Sequence, residues 1–277
     1  MRIFYNIVVI ASLVLMPLFA CNKSHDIPKG KLYVIGTGCG DRELLTLQAL
    51  SVIKKCDAFI GMEITVKKLA DDIGSRPVLF DPFLQLPRFY RKKYPHVSEK
   101  ESIRAADEIY KKDMALLRKY IGEGKTVGLL EPGDPTLFGG WRNWIFPHLK
   151  KEEIEVIPGM SSFSVASALF RDGTITTGSV ILTEPGSLVK NELMVKSAAL
   201  SGDTLVIFMA IDRIDKIIPA LKKHYRGNMP VHIIYEAGVH GREKKVVTNL
   251  DGLGATVKEN QDSFLGLVYV GRHLKQD

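Results

Sequence analysis

The stretch Gly36-Thr37-Gly38-Cys39-Gly40-Asp41 decides how this chain is read. It follows the apolar run Lys31-Leu32-Tyr33-Val34-Ile35 and precedes ELLTLQALSVI at 43–53. A short apolar run closed by glycine, then leucines at helical spacing, is a strand–loop–helix pattern. Three glycines in the loop leave bare backbone, so a small ligand can approach its N–H groups closely. The spacing is not the dinucleotide fingerprint, whose third glycine would fall where Asp41 stands. Asp41 is expected to cap the helix, in which Leu44, Leu47 and residues 50–53 recur at helical spacing.

Outward from this loop the chain alternates strand-like and helix-like segments. Short strands are expected at 57–61 and 126–130, and then at 154–157, 179–182, 204–208, 231–235, 246–248 and 265–270. The clearest helix starts at Ser98, where Ser98 and Glu101 make a capping box. Ile103, Ala106, Tyr110, Met114, Leu117 and Ile121 follow on one face, and Gly122 and Gly124 end it. Further helices are expected at 162–170, 190–200 and 212–225. The link AGVHGREKK at 237–245 suggests an antiparallel hairpin. Two α/β lobes follow, residues 31–146 and 147–277, the second with a mixed sheet.

Residues 1–21 stand apart. Arg2 precedes the apolar run IVVIASLVLMPLF, which suits a secretory leader better than a membrane span. It ends in Leu18-Phe19-Ala20-Cys21, which resembles a bacterial lipobox with Cys21 as the lipidated residue. That reading implies a membrane-anchored lipoprotein with a signal peptide at 1–21 and a polar tether at 22–30. An uncleaved signal anchor and a start at Met16, which would give a cytoplasmic protein, are the alternatives.

The 277 residues are 45% hydrophobic and 25% charged, ordinary values for a globular chain. The net charge of +7 is spread along the sequence, so no nucleic-acid stripe is indicated and no nucleic-acid partner is expected. Cys39 and Cys56 do not make a disulfide framework, and no Cys/His spacing resembles a zinc site.

Several motifs together resemble the tetrapyrrole (corrin and porphyrin) methyltransferases. GTGCGDRELLTLQAL is similar to their opening motif, EPGDPTLFGG at 131–140 to their Gly-Asp-Pro motif, and IPGMSSFSVASA at 157–168 to the segment that follows. TLVIFMA, PVHIIYEA and LGLVYVG resemble the later strands. Some segments look like the precorrin-2 C20 branch and others like the precorrin-4 C11 branch. The resemblance implies a two-lobed tetrapyrrole-methylase-like α/β fold with a cofactor cleft between the lobes, and homodimers. It implies methyl transfer from S-adenosylmethionine to a carbon of a tetrapyrrole.

Carried over residue by residue, the cofactor contacts are Cys39, Pro132, Gly133, Asp134, Phe138, Ser161, Ser162, Met209, Ala237 and Gly266. Gly133 lets backbone approach the ligand, and Asp134 sits in a tight turn where it can accept hydrogen bonds. Ser161 and Ser162 fall at a helix start, and Met209 can pack on an adenine face. Singly, a Gly-Asp-Pro turn and a Ser-Ser cap are common without a ligand; it is their conjunction that points to a site. Direct displacement at a sulfonium carbon needs alignment more than an acid–base pair, and no catalytic base is identified.

The Pro-interrupted stretch DPFLQLPRFYRKKYPHV at 81–97 combines cations and aromatics. Arg88 and Arg91, with Lys92 and Lys93, can meet substrate carboxylates, and Phe83, Phe89 and Tyr90 its ring; a solvated loop is the alternative. Two departures stand out. Cys39 puts a reactive thiol where the family has proline, and RDGTITTGS at 171–179 replaces a Pro-Leu-Thr-like element. A tethered tetrapyrrole-binding protein without methylation, and an RNA or protein methyltransferase of the same superfamily, are the competing readings.

Overall fold

The computed structural model describes residues 30–170, 178–260 and 265–274. Cys21 with its expected lipidation, the tether up to 29 and most of RDGTITTGS lie outside the described residues.

The first sheet contains β1 (Leu32–Gly36), β2 (Ala58–Gly61), β3 (Val127–Glu131) and β4 (Ile154–Ile157), in the order β2-β3-β1-β4. All three pairings are parallel. A parallel sheet is covered on both faces, which is why β1, β2 and β3 read as unbroken apolar runs. Tyr33, Ile35, Phe59, Leu130 and Ile157 face α1 (Leu47–Ile53) and the region that follows α2 (Glu63–Lys68) and includes α3 (Ala70–Ile73). On the other side Leu32, Val34, Ile60, Val127 and Leu129 pack against Met114, Leu117 and Ile121, with Trp141 and Ile145.

The segment 81–97 is not an irregular loop. Asp81 caps a 3₁₀ turn at Pro82–Gln85 by accepting from the Phe83 N–H, and α4 (Pro87–Lys93) follows. Each proline opens its helical turn, a position where the missing N–H costs nothing. Next comes α5 (Glu99–Gly122), which starts with the expected Ser98–Glu101 capping box. Its buried face is Ser102, Ala106, Asp113, Met114, Leu117 and Ile121, while Ile103 is exposed. The short α6 (Trp141–Trp144) leads towards β4.

Asp41 does not cap α1. The Thr46 hydroxyl does so, accepting from the Ala49 N–H at 3.0 Å, and Leu47 points to solvent. The lobe boundary also differs from the expectation. A division at 146/147 assigns residues 154–157 to the second lobe, yet β4 pairs with β1 in the first sheet. Strand partners are set by non-local pairing, which a change of local composition does not reveal.

Directly after β4, α7 (Ser162–Ala168) crosses to the second lobe, where Ala166 packs with Leu267 and Tyr269. There lie β5 (Val180–Thr183), α8 (Pro185–Lys190), α9 (Glu192–Ser201), β6 (Thr204–Ile207), α10 (Ile214–Lys222), β7 (Pro230–Tyr235), β8 (Lys244–Asn249), α11 (Leu253–Glu259) and β9 (Gly266–Val270). The sheet order is β5-β6-β9-β7-β8. It is mixed, as expected: β5 and β6 are parallel, and the other pairings are antiparallel. Period-two alternation sorts its two faces. Leu205, Ile207, Ile233 and Val268 face helices α8 to α11. Val206, Phe208, Ile234 and Tyr269 face α7 and Phe170, and Leu137 of the first lobe joins them.

Candidate functional site

Parallel strands end together, so the loops after β1, β3 and β4 share one edge of the first sheet, the edge where open α/β sheets take ligands. Those three loops hold the three motifs. The Thr37 N–H donates to the Glu131 carbonyl at 2.8 Å, and the Gly38 N–H to the Gly133 carbonyl at 3.2 Å. Between them lies Gly159. A Cβ on Gly159 would overlap the Gly133 carbonyl oxygen and stand 2.7 Å from Gly36 Cα. A Cβ on Gly36 would stand 2.5 Å from Gly159 Cα and 2.7 Å from Pro135 Cδ. The motifs are therefore packed backbone on backbone.

Gly133 is different. Its φ is +80°, and a Cβ there would meet nothing within 4 Å, so the residue borders open space. The next residue, Asp134, accepts from the Thr136 N–H at 2.9 Å and its hydroxyl at 2.7 Å, which fixes the turn. Pro132 is exposed. Ser161 is buried at the N-cap of α7, where its hydroxyl accepts from the Phe163 N–H at 3.1 Å, and Ser162 opens the helix.

The facing edge belongs to the second sheet. Antiparallel pairing puts Gly266, the first residue of β9, opposite Tyr235 at the end of β7. Met209 lies just beyond β6 and Ala237 just beyond β7, so Met209, Ala237 and Gly266 share this edge. The two edges meet at named contacts. The Phe138 and Phe208 rings lie 5.0 Å apart. The Asp41 N–H donates to the Gly238 carbonyl at 2.7 Å, and the Asp41 carboxylate accepts from the His240 N–H at 2.7 Å. Asp41 thus binds the β7–β8 hairpin rather than its own helix.

Backbone strain gathers here. Among the described residues, the non-glycine residues with left-handed φ are Phe138, Met209 and Glu236, at 59°, 51° and 49°. Bulky residues adopt that region only when the surroundings impose it, and such residues cluster at ligand sites. Phe138 and Met209 are among the cofactor contacts that the resemblance implies; Glu236 is not. Its carboxylate takes two oxygens' worth of contact from Arg242, each at 2.7 Å, which pins the hairpin tip.

Cys39 sits half-buried in the glycine loop, and burial pushes its thiol up to about 11. The thiolate is the reactive form, so at neutral pH this residue is not the reactive thiol anticipated from the sequence. Lys68, in α2, donates to the Thr37 carbonyl at 3.1 Å and the Gly38 carbonyl at 3.2 Å. It braces the loop from behind; burial lowers its pKa.

Sequence reasoning also missed Glu131. It ends β3, and burial pushes its carboxyl up to about 8, offset in part by the neighbouring Trp141 N–H. That N–H stands outside hydrogen-bond geometry, since both Glu131 Oε2 and Trp141 Nε1 are buried without a partner. Between the ordinary carboxylate range and about 8, the folded protein keeps a proton that the unfolded chain releases. Glu131 therefore lowers stability progressively as pH rises through that window. No local signal marked it, because a glutamate at a strand end is unremarkable until the residues above it are known.

Arg88 and Arg91 lie on α4. The Arg88 guanidinium donates to the Asp212 carboxylate at 3.0 Å and lies over the Phe89 ring at 4.7 Å. Asp212 follows Met209 by three residues, so Arg88 reaches the same strand end of the second lobe. Arg91 is exposed. Phe83, expected against a substrate ring, instead packs into the first-lobe core, 5.9 Å from Trp141 and 4.9 Å from Phe89.

This arrangement of motifs has counterparts. The family model described as Tetrapyrrole (Corrin/Porphyrin) Methylases matches residues 31–254. The chain belongs to the tetrapyrrole methylases. It is 30% identical to a uroporphyrinogen-III C-methyltransferase of Bacillus subtilis, over 87% of this chain and 90% of that one. It is 26% identical to a cobalt-precorrin-4 C(11)-methyltransferase of Methanocaldococcus jannaschii, over 88% of each. Its fold matches the crystal structure of a uroporphyrin-III C-methyltransferase from Thermus thermophilus complexed with S-adenosylhomocysteine. There the TM-score is 0.58 at 18% identity, covering 88% of this chain and 92% of the other. Membership in the tetrapyrrole methylases makes the chain a methyltransferase.

Proposed function

We propose that this tetrapyrrole methylase transfers the methyl group of S-adenosylmethionine to a ring carbon of a polycarboxylate tetrapyrrole. One observation carries the reading: the three motif loops close into a cradle of backbone, with Gly133 open at its rim and left-handed Phe138 and Met209 beside it. Such a cradle suits a ligand held by main-chain groups. Cys39, Pro132, Gly133, Asp134, Phe138, Ser161, Ser162, Met209, Ala237 and Gly266 are the residues that would hold the cofactor, which supplies an electrophilic methyl group. Backbone donors that are already fixed need no reorganisation on binding, and the gain goes into alignment. The family's named activities and the S-adenosylhomocysteine complex of the Thermus enzyme support the cofactor. The test is calorimetric titration of the full-length protein with S-adenosylhomocysteine, then methylation of uroporphyrinogen III. Binding of neither ligand would overturn the reading.

The substrate side is placed on α4. A tetrapyrrole with several carboxylates is a flat anion, and α4 carries Arg88, Arg91, Lys92 and Lys93 in succession. Because Arg88 already holds Asp212, a substrate carboxylate must exchange with it. Exposed ion pairs are individually weak, so the exchange is easy and each arginine contributes modestly. Replacing Arg88 and Arg91 with alanine is expected to weaken uroporphyrin binding several-fold, less so at high salt, and to leave S-adenosylhomocysteine affinity unchanged. Absorbance titration at two salt concentrations measures this; equal affinities would remove α4 from the substrate site.

We also propose that Cys21 is lipidated. Gly30 stands two residues before β1, at the edge of the first sheet opposite the motif loops. A tether ending there would leave the cleft facing away from the membrane. Cys21→Ser is expected to move the protein from the membrane to the soluble fraction. An unmodified wild-type protein in the soluble fraction would contradict it.

A further inference from the structure

Glu131 puts a buried carboxyl oxygen at the junction of the two proposed ligand sides. Its carbonyl accepts from the Thr37 N–H at 2.8 Å and the Thr37 hydroxyl at 3.0 Å, and its chain neighbours Pro132 and Gly133 form the cofactor turn. Its side chain follows the period of Val127 and Leu129, towards Trp141. From Trp141 a file of rings runs outward: Phe83 at 5.9 Å, Phe89 at a further 4.9 Å, and Arg88 over Phe89 at 4.7 Å. The inner end of that file is Glu131, and its outer end is the cationic face of α4.

Two polar atoms at the inner end, Glu131 Oε2 and Trp141 Nε1, are buried without partners. Native interiors seldom leave such atoms unpaired, and a functional role is one of the few explanations. The residue as a whole is only half-buried. Among the described residues, no charged side chain contributes to its titration; burial and Trp141 alone set it. A carboxyl held this way is sensitive to any charge brought close to it.

We propose that Glu131 is the proton acceptor of the methyl transfer, set between the cofactor turn and the ring file that leads to the substrate. The inference rests on the function proposed above. The ring carbon gains a C–C bond to the methyl group, while the S–CH3 bond breaks and its electron pair stays on sulfur. The ring then gives up one proton, which forms an O–H bond with the Glu131 carboxylate and later leaves to solvent. A proton acceptor must be ionised before it acts. With its carboxyl pushed up to about 8, Glu131 is mostly neutral at pH 7 in the free protein. A sulfonium cation nearby favours the carboxylate, so binding the charged methyl donor should expel the proton and arm the residue.

That coupling can be read without turnover. Calorimetry of the full-length protein at pH 7, in two buffers of different ionisation enthalpy, should show proton release with S-adenosylmethionine and much less with uncharged-sulfur S-adenosylhomocysteine. Glu131→Gln mimics the neutral carboxyl, so it should fold, bind S-adenosylhomocysteine within about threefold of wild type and release no proton. Its methylation rate should fall about 100-fold, in the range of general-base catalysis. The wild-type kcat/KM for the methyl donor should rise with pH and level off above about 8, the free-protein value, while kcat levels off at lower pH; both limbs should vanish in Glu131→Gln. Glu131→Asp should restore them in part. A Glu131→Gln enzyme that keeps the wild-type rate or the wild-type pH limbs overturns this inference alone. A wild-type protein that binds neither adenosyl ligand overturns it together with the proposed function.

Discussion

Gly159→Ala is expected to cost this protein both stability and its S-adenosylhomocysteine affinity, although it adds a single methyl group. The new Cβ would overlap the Gly133 carbonyl oxygen and press on Gly36, both main-chain atoms. Backbone cannot change rotamer, so relief requires the β3 or β4 loop to move. Overpacking of this kind typically costs about 1–3 kcal/mol. The displaced element is the Gly133 turn, whose carbonyl also accepts the Gly38 N–H, so the whole cradle loses register. Gly133→Ala provides the contrast. Its methyl group meets open space, and the cost is the left-handed backbone, about 1–2 kcal/mol. Both variants should bind S-adenosylhomocysteine at least tenfold more weakly, Gly159→Ala by distorting the cradle and Gly133→Ala by intruding on its rim. Urea unfolding gives the stability loss and calorimetry the affinity. Gly159→Ala with wild-type affinity would show that the three loops do not form the ligand surface.

What could be read from the sequence has a common physical character. Gly36, Gly133 and Gly159 stand in short local patterns, and each pattern announces itself by glycine, proline and aspartate at fixed spacing. The parallel strands announced themselves through continuous apolar runs, and α5 through its capping box. What could not be read depends on partners far away in the chain. Residues 154–157 look like any short strand, and only pairing with β1 puts them in the first sheet. Asp41 has the right type and place for a helix cap, but the His240 N–H competes for it from 199 residues away and wins. For the stretch 81–97 the sequence leaves a solvated loop open as an alternative, because prolines interrupt it. Pro82 and Pro87 instead stand at the first position of a helical turn. Glu131 became visible only once Trp141 was seen to cover it without bonding to it.

Gly40→Ala is expected to separate the halves of the site while each sheet stays folded. Gly40 has a φ of +75°, and a Cβ there would overlap the Gly238 carbonyl group, with Gly238 Cα at 2.7 Å. Gly238 is equally constrained, at φ +83° with Leu44, the Cys39 carbonyl and Val165 around its would-be Cβ. Two left-handed glycines from different lobes thus touch main chain to main chain, and the Asp41 N–H bond to the Gly238 carbonyl lies against that contact. Neither glycine belongs to a hydrophobic core, so adding a methyl group should leave the two sheets intact. It should push the Glu236–Glu243 hairpin tip, Ala237 included, off the glycine loop. The expected result is a loss of S-adenosylhomocysteine affinity of at least tenfold, with a far smaller change in the unfolding midpoint than Gly159→Ala produces. Asp41→Asn keeps the backbone contact and weakens only the charge-assisted bond to His240, so its effect on affinity should be several-fold smaller. If Gly40→Ala binds S-adenosylhomocysteine as wild type does, the hairpin does not help form the cofactor site. Ala237 would then be a packing residue of the second sheet, and the cradle would belong to the first lobe alone.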